Sequence, residues 1–564
     1  MVRLFNNCST NQKALVLLFC AILLFVSLLS IQKKSITWDE LCYIGAGDYI
    51  LKTGDFKYNA LLYHPPLSFY INSIFISFLN FDPSVYEKAD CWEVGKAMAF
   101  HSGYDYRFIT IISRLPIILL SVILAFIVFK WASEMYGIKS GIIALVLYTF
   151  NTAIIAFGGL ALTDFVVTFF IFATLYSFWL YARTGTKKSI ATTGICLGLA
   201  LMSKATAIIL FPAIFIMMLF YKKKNFVESI GKFIVILLIA AAVMFAGYGF
   251  RFDSLNNSLG SHYYSRAHEE INRFPPIPKK LVEFGFNIPL PFPTYFVELG
   301  SVFYYSSIGV ASFINGAVTE QAVWYLPLAV LLFKTQLSLL ILFGIAFFYP
   351  KKGKNNELIL LLPIILIFLL FMLNNRTSGV RHLIPIYPFM FVYSSRLFQS
   401  KQRNLFSTFK MILILHYIAS SLIISQNYLA YYNELAGGPQ NGYKIIVGSN
   451  IDLGQDLPGL KDYMDKNSIS KIKLSYFGSV DPKEYNISYE YLVSPYYQYW
   501  DPDYKPFVTL TKRKEDCSEK KGFIAISVNN LQNVHLLNKT CFDWLKKHEP
   551  AAKIGYSIFV YNLS

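Results

Sequence analysis

Seven ionisable side chains stand beside long apolar runs of this 564-residue chain, where they could do chemistry at a membrane face: Asp39, Glu40, His64, Asp164, Lys204, Arg381 and His382. Asp39 and Glu40 lie in Ile36-Thr37-Trp38-Asp39-Glu40-Leu41-Cys42-Tyr43. A carboxylate placed there can take a proton from a hydroxyl or amine acceptor; the same pair also suits the start of a helix over 43–51. His64 precedes Pro65-Pro66, which fix the backbone and begin a new element. Its imidazole suits phosphate binding, proton transfer or a purely structural turn. Asp164 follows Leu160-Ala161-Leu162-Thr163 in a short turn, as a site acid, as the cap of a helix from Phe165, or as both. Lys204 is the single cation of its turn, Met202-Ser203-Lys204-Ala205-Thr206, suited to a phosphate or to snorkelling. Arg381-His382 close the run Asn374-Asn375-Arg376-Thr377-Ser378-Gly379-Val380, and a guanidinium there can fork onto phosphate oxygens or anchor at the interface.

The elements that must position these groups are apolar helices. Hydrophobic residues make up 55% of the chain and charged residues 15%, against about 25% charged in a soluble domain. Mean hydropathy is +0.45. A spanning helix needs roughly 20 apolar residues. Eleven segments qualify, near 14–31, 112–129, 140–157, 165–182, 189–203, 205–221, 232–250, 323–348, 357–374, 383–398 and 409–428. The segment 189–203 is short and contains Gly194 and Gly198. The first segment reads as an uncleaved anchor rather than a signal peptide, because no small-residue cleavage site precedes Lys33-Lys34.

The charge balance of +17 invites a nucleic-acid reading, and the positions of the cations exclude it. With the N-terminus cytoplasmic, the inner segments 1–13, 130–139, 183–188, 221–232, 350–357 and 396–410 contain 18 Lys and Arg against three acids, +15 of the total. That is the positive-inside pattern of a polytopic membrane protein. It places outside two loops, 32–111 and 251–322, and the region 429–564, where β-like runs (471–477, 522–528, 554–561) alternate with helix-like ones (455–466, 541–548). The expected architecture is an α-helical transmembrane domain over 1–428 followed by an extracytoplasmic α/β domain over 429–564. The run 67–79 is too short to span and reads as an interfacial helix.

Four of the seven cysteines fall outside, as Cys42 with Cys91 and Cys517 with Cys541; both disulfides and free buried thiols satisfy that placement. Asp501-Pro502-Asp503 has the look of a nucleotide-sugar site but lies in a Pro/Tyr-rich loop that suits a turn. Six glycosylation sequons occur, at Asn7, Asn256, Asn375, Asn486, Asn538 and Asn562. P-loop, GxGxxG, HExxH and paired CxxC motifs are absent, so ATP-driven transport, dinucleotide redox chemistry and zinc proteolysis find no support.

Taken in order, these pieces resemble the GT-C glycosyltransferases of the protein O-mannosyltransferase and aminoarabinose transferase superfamily. The carriers are Trp38-Asp39-Glu40, His64-Pro65-Pro66-Leu67, Thr163-Asp164, Ser203-Lys204-Ala205 and Arg381-His382-Leu383-Ile384-Pro385-Ile386-Tyr387-Pro388. The C-terminal half adds Tyr432-Asn433-Glu434-Leu435-Ala436-Gly437-Gly438-Pro439, Gly448-Ser449-Asn450-Ile451-Asp452-Leu453-Gly454-Gln455-Asp456-Leu457 and Ile554-Gly555-Tyr556-Ser557-Ile558-Phe559-Val560-Tyr561. The resemblance implies transfer of a sugar from a polyprenyl-phosphate carrier to a hydroxyl or amine of a protein, lipid or glycan on the outer side of the membrane. Direct displacement at the anomeric carbon would invert it. It implies Asp39 as the leading catalytic carboxylate, with Glu40 beside it and Asp164 as a second acid. Lys204 and Arg381 would hold the lipid-linked phosphate, with His64 and His382 as further substrate-binding candidates. One departure bears on metal: aminoarabinose transferases have Glu-Lys-Pro-Pro where this chain has Tyr63-His64-Pro65-Pro66, so a divalent metal and aminoarabinose as the sugar both stay open. The rival class is a flippase or transporter for a polyprenyl-linked sugar or another lipid. It explains the spans equally well but leaves the one-sided clustering of acids and cations without a purpose. A scaffold with an outer recognition domain explains that cluster no better.

Overall fold

The structure is a computed structural model that describes residues 9–56, 64–88, 90–221, 226–258, 280, 284–308, 310–349, 357–374, 379–399, 405–495 and 516–563. Asn7, Tyr63, Asn375-Arg376-Thr377-Ser378, Asp501-Pro502-Asp503 and part of the loop 251–322 lie outside the described residues.

Lipid supplies no hydrogen-bond partners, so an apolar segment must close its own backbone bonds as a helix. A helix or a broken run of helices stands at each of the eleven apolar segments. Five are long and apolar enough to cross a bilayer: Thr10–Ile31, Tyr106–Tyr136, Thr163–Thr184, Phe226–Gly247 and Leu405–Ile423. Leu326–Lys334 with Leu337–Phe348 passes only as a pair bent by 110°. Ile138–Thr149, Ala205–Phe220 and Leu358–Met372 are apolar but shorter. By length and composition alone, the described residues therefore contain five spans, or six with the bent pair.

Where helices break, side chains repair the backbone. At the 335–336 bend, Gln336 Nε2 donates to Phe150 O (3.1 Å) and Tyr417 O (2.9 Å), and its Oε1 accepts from Thr152 N at 3.3 Å. Asn151 interrupts the segment expected over 140–157 and caps its second half by accepting from Ile154 N at 3.0 Å. Each repair satisfies groups that would otherwise be orphaned. Pro385 and Pro388 similarly divide the segment expected over 383–398 into short helical pieces.

The chain forms two compact units. The second comprises Cys42–Pro116 and Ala161–Ser307. Within it Lys187–Leu201 packs against both Thr163–Thr184 and Phe226–Gly247. Its two glycines, four residues apart, let it approach Phe226–Gly247 closely. A Cβ at Gly194 would lie 2.7 Å from Ile239 Cβ, and one at Gly198 would lie 2.7 Å from Ala240 O. The small residues that blur this segment in a hydropathy reading are thus its close-packing face. The segment expected as an interfacial helix over 67–79 is a shorter helix, Pro66–Ser73, followed by a 3-10 turn. It docks through Leu67 N on Met202 O (3.0 Å), Ser68 Oγ on Ser203 O (2.9 Å) and Asn72 Nδ2 on Ala161 O (2.9 Å). Cys42 and Cys91 form a disulfide in this unit.

The first unit comprises Met1–Leu41, Ile117–Leu160 and Ile308–Ser564. Its C-terminal portion contains strands β1 (Ile472–Ser475), β2 (Tyr489–Tyr491), β3 (Gly522–Ser527), β4 (Ala552–Ile554) and β5 (Ile558–Leu563). They form one sheet in the order β2-β1-β3-β5-β4, with β1 parallel to both neighbours and the β3–β5 and β5–β4 pairs antiparallel. Helix Leu457–Lys466 precedes it. The helix expected over 541–548 is only a 3-10 turn, Leu545–Lys547, in a segment whose Cys541 is bridged to Cys517.

Candidate active site

Asp39 lies just before the helix Glu40–Thr53. Its Oδ2 accepts from Arg381 Nη1 at 2.6 Å, across 342 residues of sequence. The two side chains are 19% and 23% exposed, buried enough to escape full screening and open enough to meet a substrate. Glu40 is turned the other way. It is buried, and its Oε2 accepts from Thr37 N at 2.8 Å and Thr37 Oγ1 at 3.0 Å. That is a local cap at the helix start, so the neighbouring carboxylates have different partners.

The strip before Asp39 is stapled to the C-terminal portion of the same unit. Ser35 N donates to Gln455 O and Trp38 N to Leu453 O, both at 2.9 Å. Ile36 N donates to Tyr485 Oη at 3.0 Å, and Ser479 Oγ donates to Trp38 O at 2.9 Å. Lys34 pairs with Asp456 at 2.6 Å, and the Trp38 ring packs on Phe477 at 5.4 Å between centroids. Arg381 sits in the four-residue helix Val380–Leu383, after Gly379 in extended conformation. His382 packs its ring 5.2 Å from that of Phe371.

The second unit forms its own acid–base pair. Lys204 Nζ donates to Asp164 Oδ1 at 2.5 Å, with side chains 10% and 4% exposed. Leu162 is the cap of Thr163–Thr184, so Asp164 lies in the first turn rather than at the cap, where the helix dipole still favours its charge. Lys204 occupies an extended residue (φ −165°) between Lys187–Leu201 and the 3-10 turn Ala205–Ile209. His64 meets the Tyr43 ring edge-on at 5.6 Å, and Tyr43 packs on Phe69 at 5.2 Å. The seven candidates thus resolve into two ion pairs, Asp39–Arg381 and Asp164–Lys204, one in each unit; Glu40 caps its own helix, and His64 and His382 pack on aromatic rings. Among the described residues, no three His, Cys, Asp or Glu side chains gather as metal ligands would.

Sequence reasoning recognised 448–457 as a motif but assigned it no part in the site. Its hydrogen bonds are mostly made by backbone carbonyls, which no residue type announces. Asp452 in this segment is fully buried, and its Oδ1 accepts from Gly454 N at 2.9 Å. Burial pushes its carboxyl well above the usual range; the Gly454 N–H opposes this, and the Asp456 charge adds to it. An unfolded carboxyl titrates near about 4. The folded state therefore binds the extra proton above that pH, and stability falls as pH rises toward the folded pKa. Asp452→Asn should remove this slope. The melting temperature of the mutant, relative to wild type, is expected to climb as pH is raised from 5 to 8; a difference flat in pH would show that Asp452 titrates normally.

Residues 111–247 match the family model described as dolichyl-phosphate-mannose-protein mannosyltransferase. Among solved structures, the chain is similar to ArnT from Cupriavidus metallidurans bound to undecaprenyl phosphate, at 11% identity and TM-score 0.50 over 97% of both chains. It is also similar to the oligosaccharyltransferase AglB from Archaeoglobus fulgidus, at 14% identity and TM-score 0.44 over 74% of this chain and 56% of that one. A third similarity is to the protein O-mannosyltransferase Pmt1-Pmt2 complex of S. cerevisiae, at 17% identity and TM-score 0.31 over 45% and 37%. No curated protein matches the chain in sequence. The chain therefore shares its fold with ArnT over nearly its whole length.

Proposed function

We propose that this chain, which carries the GT-C fold and a protein O-mannosyltransferase family match across its central helices, moves a sugar from a polyprenyl-phosphate carrier to a hydroxyl or amine acceptor. The observation that carries this reading is the Asp39–Arg381 pair, a proton acceptor beside a phosphate-binding guanidinium. Asp39 takes the acceptor's proton. The acceptor's oxygen or nitrogen bonds to the anomeric carbon from the face opposite the phosphate, and the bond from that carbon to the phosphate oxygen breaks. Polyprenyl phosphate leaves with its charge held by Arg381, and the product is inverted. Phosphate oxygens compete with Asp39 for the guanidinium, so donor binding would loosen the pair and release the carboxylate to act. In the second unit, Lys204 suits a phosphate and Asp164 holds its ammonium in place.

The sheet-bearing C-terminal region and the loops 32–111 and 251–322 face the outer side in this reading, with the N-terminus cytoplasmic and eleven spans. The acceptor is a protein, a lipid or a glycan presented there. The donor is anchored in the bilayer, so a site at its face replaces a three-dimensional search by a local one.

Purified protein in nanodiscs, supplied with radiolabelled polyprenyl-phosphate sugars and membrane extracts as acceptor, is expected to release label from the lipid into a new glycosidic product. Movement of intact labelled lipid between leaflets without any product would make the chain a flippase and overturn the assignment.

A further inference from the structure

Asp39 and Arg381 come from stretches of the first unit 342 residues apart in sequence, yet one short segment, 448–457, supports both. On one side its carbonyls take the strip before Asp39: Leu453 O from Trp38 N, Gln455 O from Ser35 N, and Gly454 O from Ser35 Oγ at 2.6 Å. On the other side, Asn450 Oδ1 accepts from the backbone N–H of Val380 at 2.8 Å, one residue before Arg381. The Asn450 amide is fully buried, and its orientation is fixed because Nδ2 donates to Val447 O at 3.1 Å. The approach is close: a Cβ on Gly379 would lie 2.2 Å from Ser449 Oγ. Asn450 is itself pinned, since its carbonyl accepts from the buried Lys334 ammonium at 2.5 Å. Lys334 also donates to Leu429 O at 2.8 Å and sits 4.1 Å above the Tyr432 ring. The proposed chemistry makes no use of this buried cation.

A carboxylate and a guanidinium acting on one reaction must keep their spacing to within a fraction of an ångström. We infer that Asn450 is a positioning residue: through Val380 on one side and the carbonyls that follow it on the other, it sets the spacing of Asp39 and Arg381. Any catalytic consequence rests on the transferase reading; the pairing itself does not.

The test uses the full chain and two readouts. Asp39→Ala and Arg381→Ala are made singly and together in the wild-type, Asn450→Ala and Asn450→Asp backgrounds, and melting temperatures are compared. In the wild-type background the double mutant should lose less than the sum of the singles, because the two side chains are coupled. Asn450→Ala should make the losses additive; Asn450→Asp, which as the neutral acid still accepts from Val380 N and donates to Val447 O, should keep the coupling. The same variants are then assayed for transfer. Asn450→Ala should lower kcat by about tenfold to a hundredfold with donor KM little changed, and Asn450→Asp should recover most of it. Val380→Pro removes the donor N–H, along with a buried isopropyl group, at a helix position where proline is tolerated and should reproduce Asn450→Ala, so the test stands if the alanine variant fails to fold. Coupling that survives in both Asn450→Ala and Val380→Pro overturns the inference, even if wild type transfers no sugar. Absent transfer with coupling lost in those variants overturns only the transferase reading.

Discussion

Asp39→Asn is expected to yield a folded protein whose transfer rate from a polyprenyl-phosphate sugar falls by about 10²–10⁴-fold. Asparagine keeps the shape of the side chain and an oxygen that can still accept from Arg381 Nη1, which lies 2.6 Å from the carboxylate in wild type. What it removes is the capacity to take the acceptor's proton. Initial rates in membranes supplied with labelled donor measure the effect, with Glu40→Gln as the comparison. Glu40 is spent on Thr37, so its loss should tell on helix stability far more than on rate. Near-wild-type transfer by the Asp39→Asn protein would remove Asp39 from the chemistry.

Lys204→Met is the second large effect. The methionine leaves Asp164, with 4% of its side chain exposed, without the ammonium that now lies 2.5 Å away. Breaking a buried pair by removing one partner costs about 3–5 kcal/mol, whereas replacing both partners is often neutral. The single mutant should therefore melt well below wild type, and Asp164→Leu with Lys204→Met should recover most of that loss. Transfer separates the two roles of the lysine. A phosphate-holding Lys204 predicts that the stable double mutant remains inactive, and a double mutant with restored turnover would reduce the pair to a structural brace.

The helical architecture was legible because lipid enforces it: any long apolar segment must close its own hydrogen bonds. The breaks in those helices were not. Gln336 repairs backbone at Phe150 and Tyr417, partners 186 and 81 residues away in sequence, and no local pattern marks such a role. The candidate residues were legible as ionisable groups stranded at the ends of apolar runs; which of them bond to one another was not, since Asp39 meets Arg381 across 342 residues and Asp164 meets Lys204 across 40. The division between Asp39 and Glu40 was hidden, because adjacent carboxylates look alike until one is seen accepting from Thr37. The Cys42–Cys91 and Cys517–Cys541 bridges were open to two readings, since spacing alone does not choose between thiols and disulfides.

The stapling of the strip before Asp39 onto residues near the other end of the chain bears on how the protein is made. The bonds from Ser35 and Ile36 span 419 and 449 residues. At about 5–20 residues per second, a ribosome that has just made this strip needs roughly 20–90 seconds to reach the residues that will secure it. Until then the strip lacks the Gly454 carbonyl and the Tyr485 hydroxyl that secure it, so a product truncated before them carries Asp39 without these staples. Competence for the proposed reaction would then arrive late in synthesis, after the membrane-spanning helices are already in the bilayer.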